Sequence, residues 1–169
     1  MKCMADTLIA QQRYVKQPLR SDLPIHNASD FWQIDEDAVL RPPLGDKFEI
    51  VVDIFFNASH FVINKGYKGP VHSHAYRFQA KCISQRLTDQ DQVVVGYEHL
   101  RDRMRTLAQA YNNQLLNDLP PFERLQPTTE NLTAILFQQL DRMLKSIHIS
   151  LSNVTIWESP TESITYSRS

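Results

Sequence analysis

The chain has 169 residues, 42% of them hydrophobic and 22% charged, the balance of a globular domain large enough to bury a core. A formal net charge of −1, with both signs interspersed, gives no long-range field to hold nucleic acid or an anionic membrane surface, so neither partner is expected. No window has the apolar length of a membrane span, the N-terminal MKCMADTLIAQQRYVKQPLR lacks the uninterrupted apolar stretch of a signal peptide, and a cytoplasmic protein is expected.

Residues 1–46 read as an N-terminal extension, because Pro18, Pro24, Pro42, Pro43 and Gly45 interrupt every periodic pattern. Phe31, Trp32, Ile34, Val39 and Leu40 are apolar enough to lie against the main domain, which is expected over residues 47–169. There the pattern sharpens. Phe48, Ile50, Val52, Ile54, Phe56 and Ala58 alternate with mostly polar residues, which predicts a half-buried strand. After a loop over residues 64–70, Tyr76, Phe78, Ala80 and Cys82 mark one face of a second strand, with Arg77, Gln79 and Lys81 on the other. The two strands should pair antiparallel. Cys3 and Cys82 are too few to staple a fold, and Cys82 reads as a small buried hydrophobe.

Val93, Val94 and Val95 predict a further short strand, broken by Gly96. Leu100, Met104, Leu107, Ala108, Tyr111 and Leu115 then recur at helical spacing, predicting a helix of roughly four turns that ends at Pro120 and Pro121. A second helix is signalled by Thr128 as N-cap and by Leu132, Ile135, Leu136, Leu140, Met143 and Leu144 along one face. Residues 147–166 are β-rich, with a break near Ser159 and Pro160. Strands, helix, helix, strands is the order of an α+β domain with both helices on one face of an antiparallel sheet.

The chemistry lies where the two long strands meet. One further step of two along the first strand's apolar face reaches His60. Reading the second strand backwards from Tyr76 on the same face gives His74 and then His72. Antiparallel pairing brings the end of one strand beside the start of the other, so three imidazoles converge. Three neutral histidines with an open fourth position suit a catalytic Zn²⁺, although other late divalent ions fit the same ligands. The bland alternative is three polar residues at strand ends.

FNASHFV followed by VHSHAYRF resembles the two zinc-binding segments of the 6-pyruvoyl-tetrahydropterin synthase superfamily, which includes the 6-carboxy-tetrahydropterin synthases. VVVGYEHLRDRM, LLNDLPPFERLQPTTENLTAIL and VTIWESPTESITY are similar, in order, to the family's first helix and its lead-in, its LN and PT-x-E stretch, and its last strands. The resemblance implies the T-fold, with subunits joining their sheets into a barrel as a homo-oligomer, trimer or hexamer. It implies zinc gripping side-chain hydroxyls of a reduced pterin such as 7,8-dihydroneopterin triphosphate, with Glu158 anchoring the pterin ring. Thr128, Thr129 and Glu130 match the family's pocket-lining positions near the second helix.

The departures from the family pattern are as informative. Where members usually carry a catalytic cysteine, this chain has Lys68. Three roles are open to it: a base whose pKa is depressed by desolvation and the metal, a cation for a phosphate or carboxylate, or a solvated loop residue. The family's Asp-His relay falls on Asn112 and Asn113, and asparagine takes up no proton at neutral pH. Gly96 stands where members often have aspartate. His99, Tyr67 and Lys65 are nearby substitutes for the missing base, but no spacing demands any of them. The sequence therefore leaves a zinc-dependent lyase, a non-catalytic pterin-binding paralogue, and an oligomer with a purely structural zinc as competing readings.

Overall fold

The computed structural model describes residues 34–147 and 149–168, and the chain from Glu36 onward forms one compact unit. Its elements are helix α1 (Glu36–Leu40), β1 (Phe48–His60), β2 (Ile63–Asn64), β3 (Tyr67–Lys68), β4 (His72–Ser84), α2 (Tyr97–Gln109), β5 (Gln114–Leu115), a 3-10 turn at Leu116–Asp118, α3 (Thr129–Leu144), β6 (Ser150–Trp157) and β7 (Ser163–Ser167). Five strands form one sheet in the order β5-β1-β4-β6-β7. The sheet is antiparallel except at its edge, where β5 pairs parallel with Ala58 and Ser59 of β1. Among the described residues no helix is long and apolar enough to cross a membrane.

The period-two pattern fixes which face of the sheet is covered. On β1, Ile50, Val52, Ile54, Phe56 and Ala58 are buried, and their partners across the ladder are Cys82, Ala80, Phe78, Tyr76 and His74. On β6, Val154 and Ile156 continue the same face opposite Ala80 and Phe78. That face receives both helices, α2 against β1 and α3 against β6 and β7. Leu100 and Met104 from α2, and Leu132, Leu136, Phe137, Leu140 and Leu144 from α3, complete the core. Burying each such side chain stabilises the fold by about 1.5–3 kcal/mol. The other face is mixed: Val51 and Phe55 are exposed on it, Arg77 bridges Asp53 at 2.9 Å and stacks over the Trp157 ring, and Glu49 pairs with Lys47 and Lys81.

Several expectations are corrected. Val93, Val94 and Val95 form bends, not a strand; Val94 and Val95 enter the core individually, so their apolar character reflects packing and not a ladder. The first helix stops at Gln109, well before the prolines. Asn113 adopts a left-handed backbone, φ 60°, which ends helical progression and turns the chain onto the edge of β1, leaving Leu115 in β5. The loop over residues 64–70 contains the β2–β3 hairpin, turned by Lys65 (φ 49°) and Gly66 (φ 83°), the two positive values a two-residue turn of this hand requires. Val39 is exposed and Leu40 half-buried, and Phe31, Trp32 and Cys3 lie outside the described residues. Cys82 is fully buried, and burial pushes its thiol up to about 12, so it is inert.

Helix α3 begins as its sequence indicates, with the Thr128 hydroxyl accepting from the Asn131 N–H. Thr128→Ala is expected to cost about 1 kcal/mol. Leu136→Ala, which empties a fully buried site under the sheet, should cost about 2–5 kcal/mol. Denaturant unfolding of both variants measures these losses; a Leu136→Ala cost below that of the cap would contradict the packing described.

Candidate metal centre

At one end of the sheet, the β1–β4 ladder places His60 directly opposite His72, with His74 opposite Ala58. All three side chains leave the covered face. Their ligand atoms lie within 4.8 Å of one another, and the ring centroids are 4.5–5.1 Å apart. His60 is buried, His74 half-buried and His72 exposed, so the cluster runs from the core to solvent.

Each imidazole is oriented by a main-chain carbonyl. His60 Nδ1 lies 2.5 Å from the Pro127 oxygen, His72 Nδ1 3.0 Å from that of Pro70, and His74 Nδ1 3.0 Å from that of Glu158. A carbonyl only accepts, so these bonds require the proton on Nδ1 and leave the Nε2 lone pair free on every ring. Two of those nitrogens, His60 Nε2 and His74 Nε2, face each other at 3.2 Å. Two lone pairs at that distance repel unless a metal ion or a shared proton lies between them. The spacing matches the roughly 3.3 Å edge of a tetrahedron drawn about a metal with bonds of about 2.0–2.1 Å. Burial pushes His60 below the ordinary imidazole value, and His72 and His74 add to this, while the Pro127 carbonyl and Glu158 oppose it. The net effect favours the neutral, ligating form. These residues fit a metal: three imidazole nitrogens, each ring oriented by a carbonyl partner.

Around the tripod, four segments are tied together. The Asn117 side chain donates to the Phe61 carbonyl (3.0 Å) and accepts from the Phe61 N–H (2.9 Å), clamping the chain one residue beyond His60. Gln126 Oε1 accepts from the Ile63 N–H, and Asn131 Nδ2 donates to the Gln126 carbonyl, which steadies the segment carrying Pro127. Glu158 does two things at once. Its carbonyl receives His74, and its carboxylate Oε2 accepts from the buried Thr129 hydroxyl at the start of α3. Oε1 makes no hydrogen bond with the described residues and is free to accept from a ligand. Tyr76 stacks on Phe56 beside His74, its hydroxyl fully buried without a partner among the described residues; burial and the Glu158 charge both raise its pKa.

The other residues singled out in the sequence are placed differently. Thr128 serves α3 as its cap, and Glu130 is exposed on the first turn. Lys68 is exposed on β3, its ammonium 4.0 Å from the centroid of the Phe61 ring. Asn112 and Asn113 both serve β1: Asn112 Oδ1 accepts from the Asn57 N–H at 2.9 Å, and the Asn113 N–H donates to the Asn57 carbonyl at 2.6 Å. His99 lies on the first turn of α2, and Tyr67 and Lys65 are exposed on the small hairpin. Asn117, Pro127 and Pro70 went unnoticed as site residues. Asn117 sits in the LN pair already matched to a family motif, but nothing local shows that its amide reaches Phe61.

The family model described as 6-pyruvoyl tetrahydropterin synthase matches residues 49–169. Among solved structures, the 6-pyruvoyl tetrahydropterin synthase of Caenorhabditis elegans is similar at a TM-score of 0.64 and 20% identity, covering 73% of this chain and 97% of that one. A Plasmodium vivax 6-pyruvoyltetrahydropterin synthase carrying a catalytic-residue substitution aligns at 0.60 and 20%, over 73% and 98%. An uncharacterized Wolinella succinogenes protein aligns at 0.61 and 15%, over 74% and 100%. Among curated proteins no relative matches. With a matching family model over most of its length and the T-fold in its coordinates, the chain belongs to the 6-pyruvoyl tetrahydropterin synthase family, as a divergent member.

Proposed function

We propose that this protein is a zinc-dependent lyase of the 6-pyruvoyl- or 6-carboxy-tetrahydropterin synthase type, acting in the cytoplasm on a reduced pterin such as 7,8-dihydroneopterin triphosphate. The observation that carries this reading is the set of three Nδ1–H···O=C bonds that leave three Nε2 lone pairs converging. Zinc, when held there by His60, His72 and His74, supplies a Lewis acid at an open coordination position.

The chain's own residues supply recognition. Glu158 presents Oε1 as an acceptor for pterin N–H donors, while Thr129 holds Oε2 and so fixes the plane of the carboxylate. Thr128 and Glu130 flank that carboxylate's partner on the first turn of α3. Lys68 sits as a cation over Phe61, next in sequence to His60, which suits it to hold an anionic group of the substrate better than to abstract a proton. Homo-oligomerisation, as a trimer or hexamer, is supported by the sheet edges. β7 is outermost on one side, and on the other β1 is paired by β5 only at Ala58 and Ser59. Joining these edges between subunits would close the barrel and hide the exposed Phe55.

One observation favours a second reading, a zinc- and pterin-binding paralogue without turnover. Asn112 and Asn113, at the family's relay positions, are engaged with the Asn57 main chain and offer no proton acceptor of useful basicity.

Zinc-loaded protein incubated with 7,8-dihydroneopterin triphosphate should release triphosphate and yield a new pterin, read by chromatography and mass spectrometry. Retained pterin without turnover would establish the paralogue instead, and neither turnover nor retention would overturn both. Glu158→Gln should weaken pterin binding by about tenfold or more, because a half-buried acceptor loses its charge; unchanged affinity would remove Glu158 from the pocket. His74→Ala should abolish stoichiometric zinc, measured by elemental analysis on folded protein, and a full equivalent retained would refute the tripod.

A further inference from the structure

The end of the sheet opposite the histidines carries a cavity of about 870 Å³. His72 and Ser84 are the two ends of β4, so the cavity at Ser84 lies roughly 40 Å from the tripod at about 3.3 Å per residue. No single pterin-sized ligand reaches both. The volume lies within the range of small-molecule sites.

The lining has an uneven charge. Arg41, Lys47 and Arg86 face one carboxylate, Asp89. Among the described residues, neither Arg41 nor Arg86 has a carboxylate within salt-bridge distance, and the Glu49 that meets Lys47 at 3.5 Å is closer to Lys81, at 3.2 Å. Two guanidinium groups without a carboxylate partner among the described residues, and a shared ammonium, line one hollow, a donor set suited to an anion.

The walls are held by hydrogen bonds that do not use these charges. Ser84 Oγ donates to the Arg86 carbonyl (2.7 Å) and accepts from the Arg86 N–H (3.2 Å), fixing the main chain that bears the guanidinium. The Leu87 N–H meets the Leu40 carbonyl at 3.4 Å, joining the rim to the end of α1 beside Arg41. Thr88 closes the next turn: its N–H donates to the Val93 carbonyl, its carbonyl accepts from Gln92, and its Oγ1 accepts from the Val93 N–H. The Thr88 hydroxyl proton is left to donate. Leu40 and Leu87 give the cavity an apolar side.

We infer that this cavity is a second binding site, for a small organic phosphate. Arg41, Arg86 and Lys47 neutralise the phosphate dianion, with Thr88 as a neutral donor. Asp89, which would repel the phosphate, accepts from a hydroxyl or amino group on the organic part. The inference does not depend on zinc or on pterin chemistry.

The test is calorimetric titration of the full chain, with metal removed by a chelator, using ribose 5-phosphate as probe. Saturable binding is expected, weakened about tenfold or more in Arg86→Gln and in Arg41→Gln, and unchanged in His74→Ala. Both arginines are exposed, so their replacement should leave the fold intact, checked by circular dichroism. Absence of saturable binding, affinity unaffected by both arginine substitutions, or binding lost in His74→Ala would overturn the assignment.

Discussion

The register between β1 and β4 is the constraint on which the rest depends. It sets Ile54 opposite Phe78, Phe56 opposite Tyr76 and His60 opposite His72. Because side chains alternate with a period of two, a slip of one residue would turn the apolar set to solvent and the histidines away from each other. The burial that drives folding and the convergence that makes the site are therefore one geometric fact. Residues from Ile50 to Phe56 enforce it by their burial, and the three histidines inherit it at the strand ends.

Register alone brings rings together but does not aim them. Aiming comes from three carbonyls in three different parts of the chain: Pro70 just before β4, Pro127 just before α3, and Glu158 just after β6. Each lies at an element boundary, where a carbonyl is not consumed by a ladder or a helix. Asn117 and Gln126 then fix the segments beside them through bonds to Phe61 and Ile63. The Nε2 atoms of His60 and His74 face each other at 3.2 Å, a spacing that a bound cation, metal ion or shared proton, would stabilise. Glu158 couples that scaffold to the first turn of α3 through Thr129, so the three histidines and the carboxylate proposed to anchor a ligand share one support.

Much of this was legible in the sequence because period two and period 3.6 are visible without neighbours. The phase of His60 with Ala58, and of His72 and His74 with Tyr76, sufficed to place three imidazoles on one face. The Thr128 cap and the apolar stripe of α3 were equally local. What escaped was set by distant partners. Val94 and Val95 look like a strand because they are buried, yet they have no strand beside them. The end of α2 depends on Asn112 and Asn113 reaching Asn57, far away in sequence, and not on the prolines that follow. The same contacts give those asparagines a main-chain role that motif matching alone does not suggest. Asn117 and the three carbonyl acceptors were invisible for the same reason, since a carbonyl carries no residue identity.

We propose that His60, His72 and His74 bind one metal through Nε2. X-ray absorption at the zinc edge of the stoichiometrically loaded protein tests it most directly. Three imidazole nitrogens at about 2.0–2.1 Å, with a light-atom fourth ligand, are expected. A sulfur shell near about 2.3 Å, or fewer than three imidazoles, would contradict it.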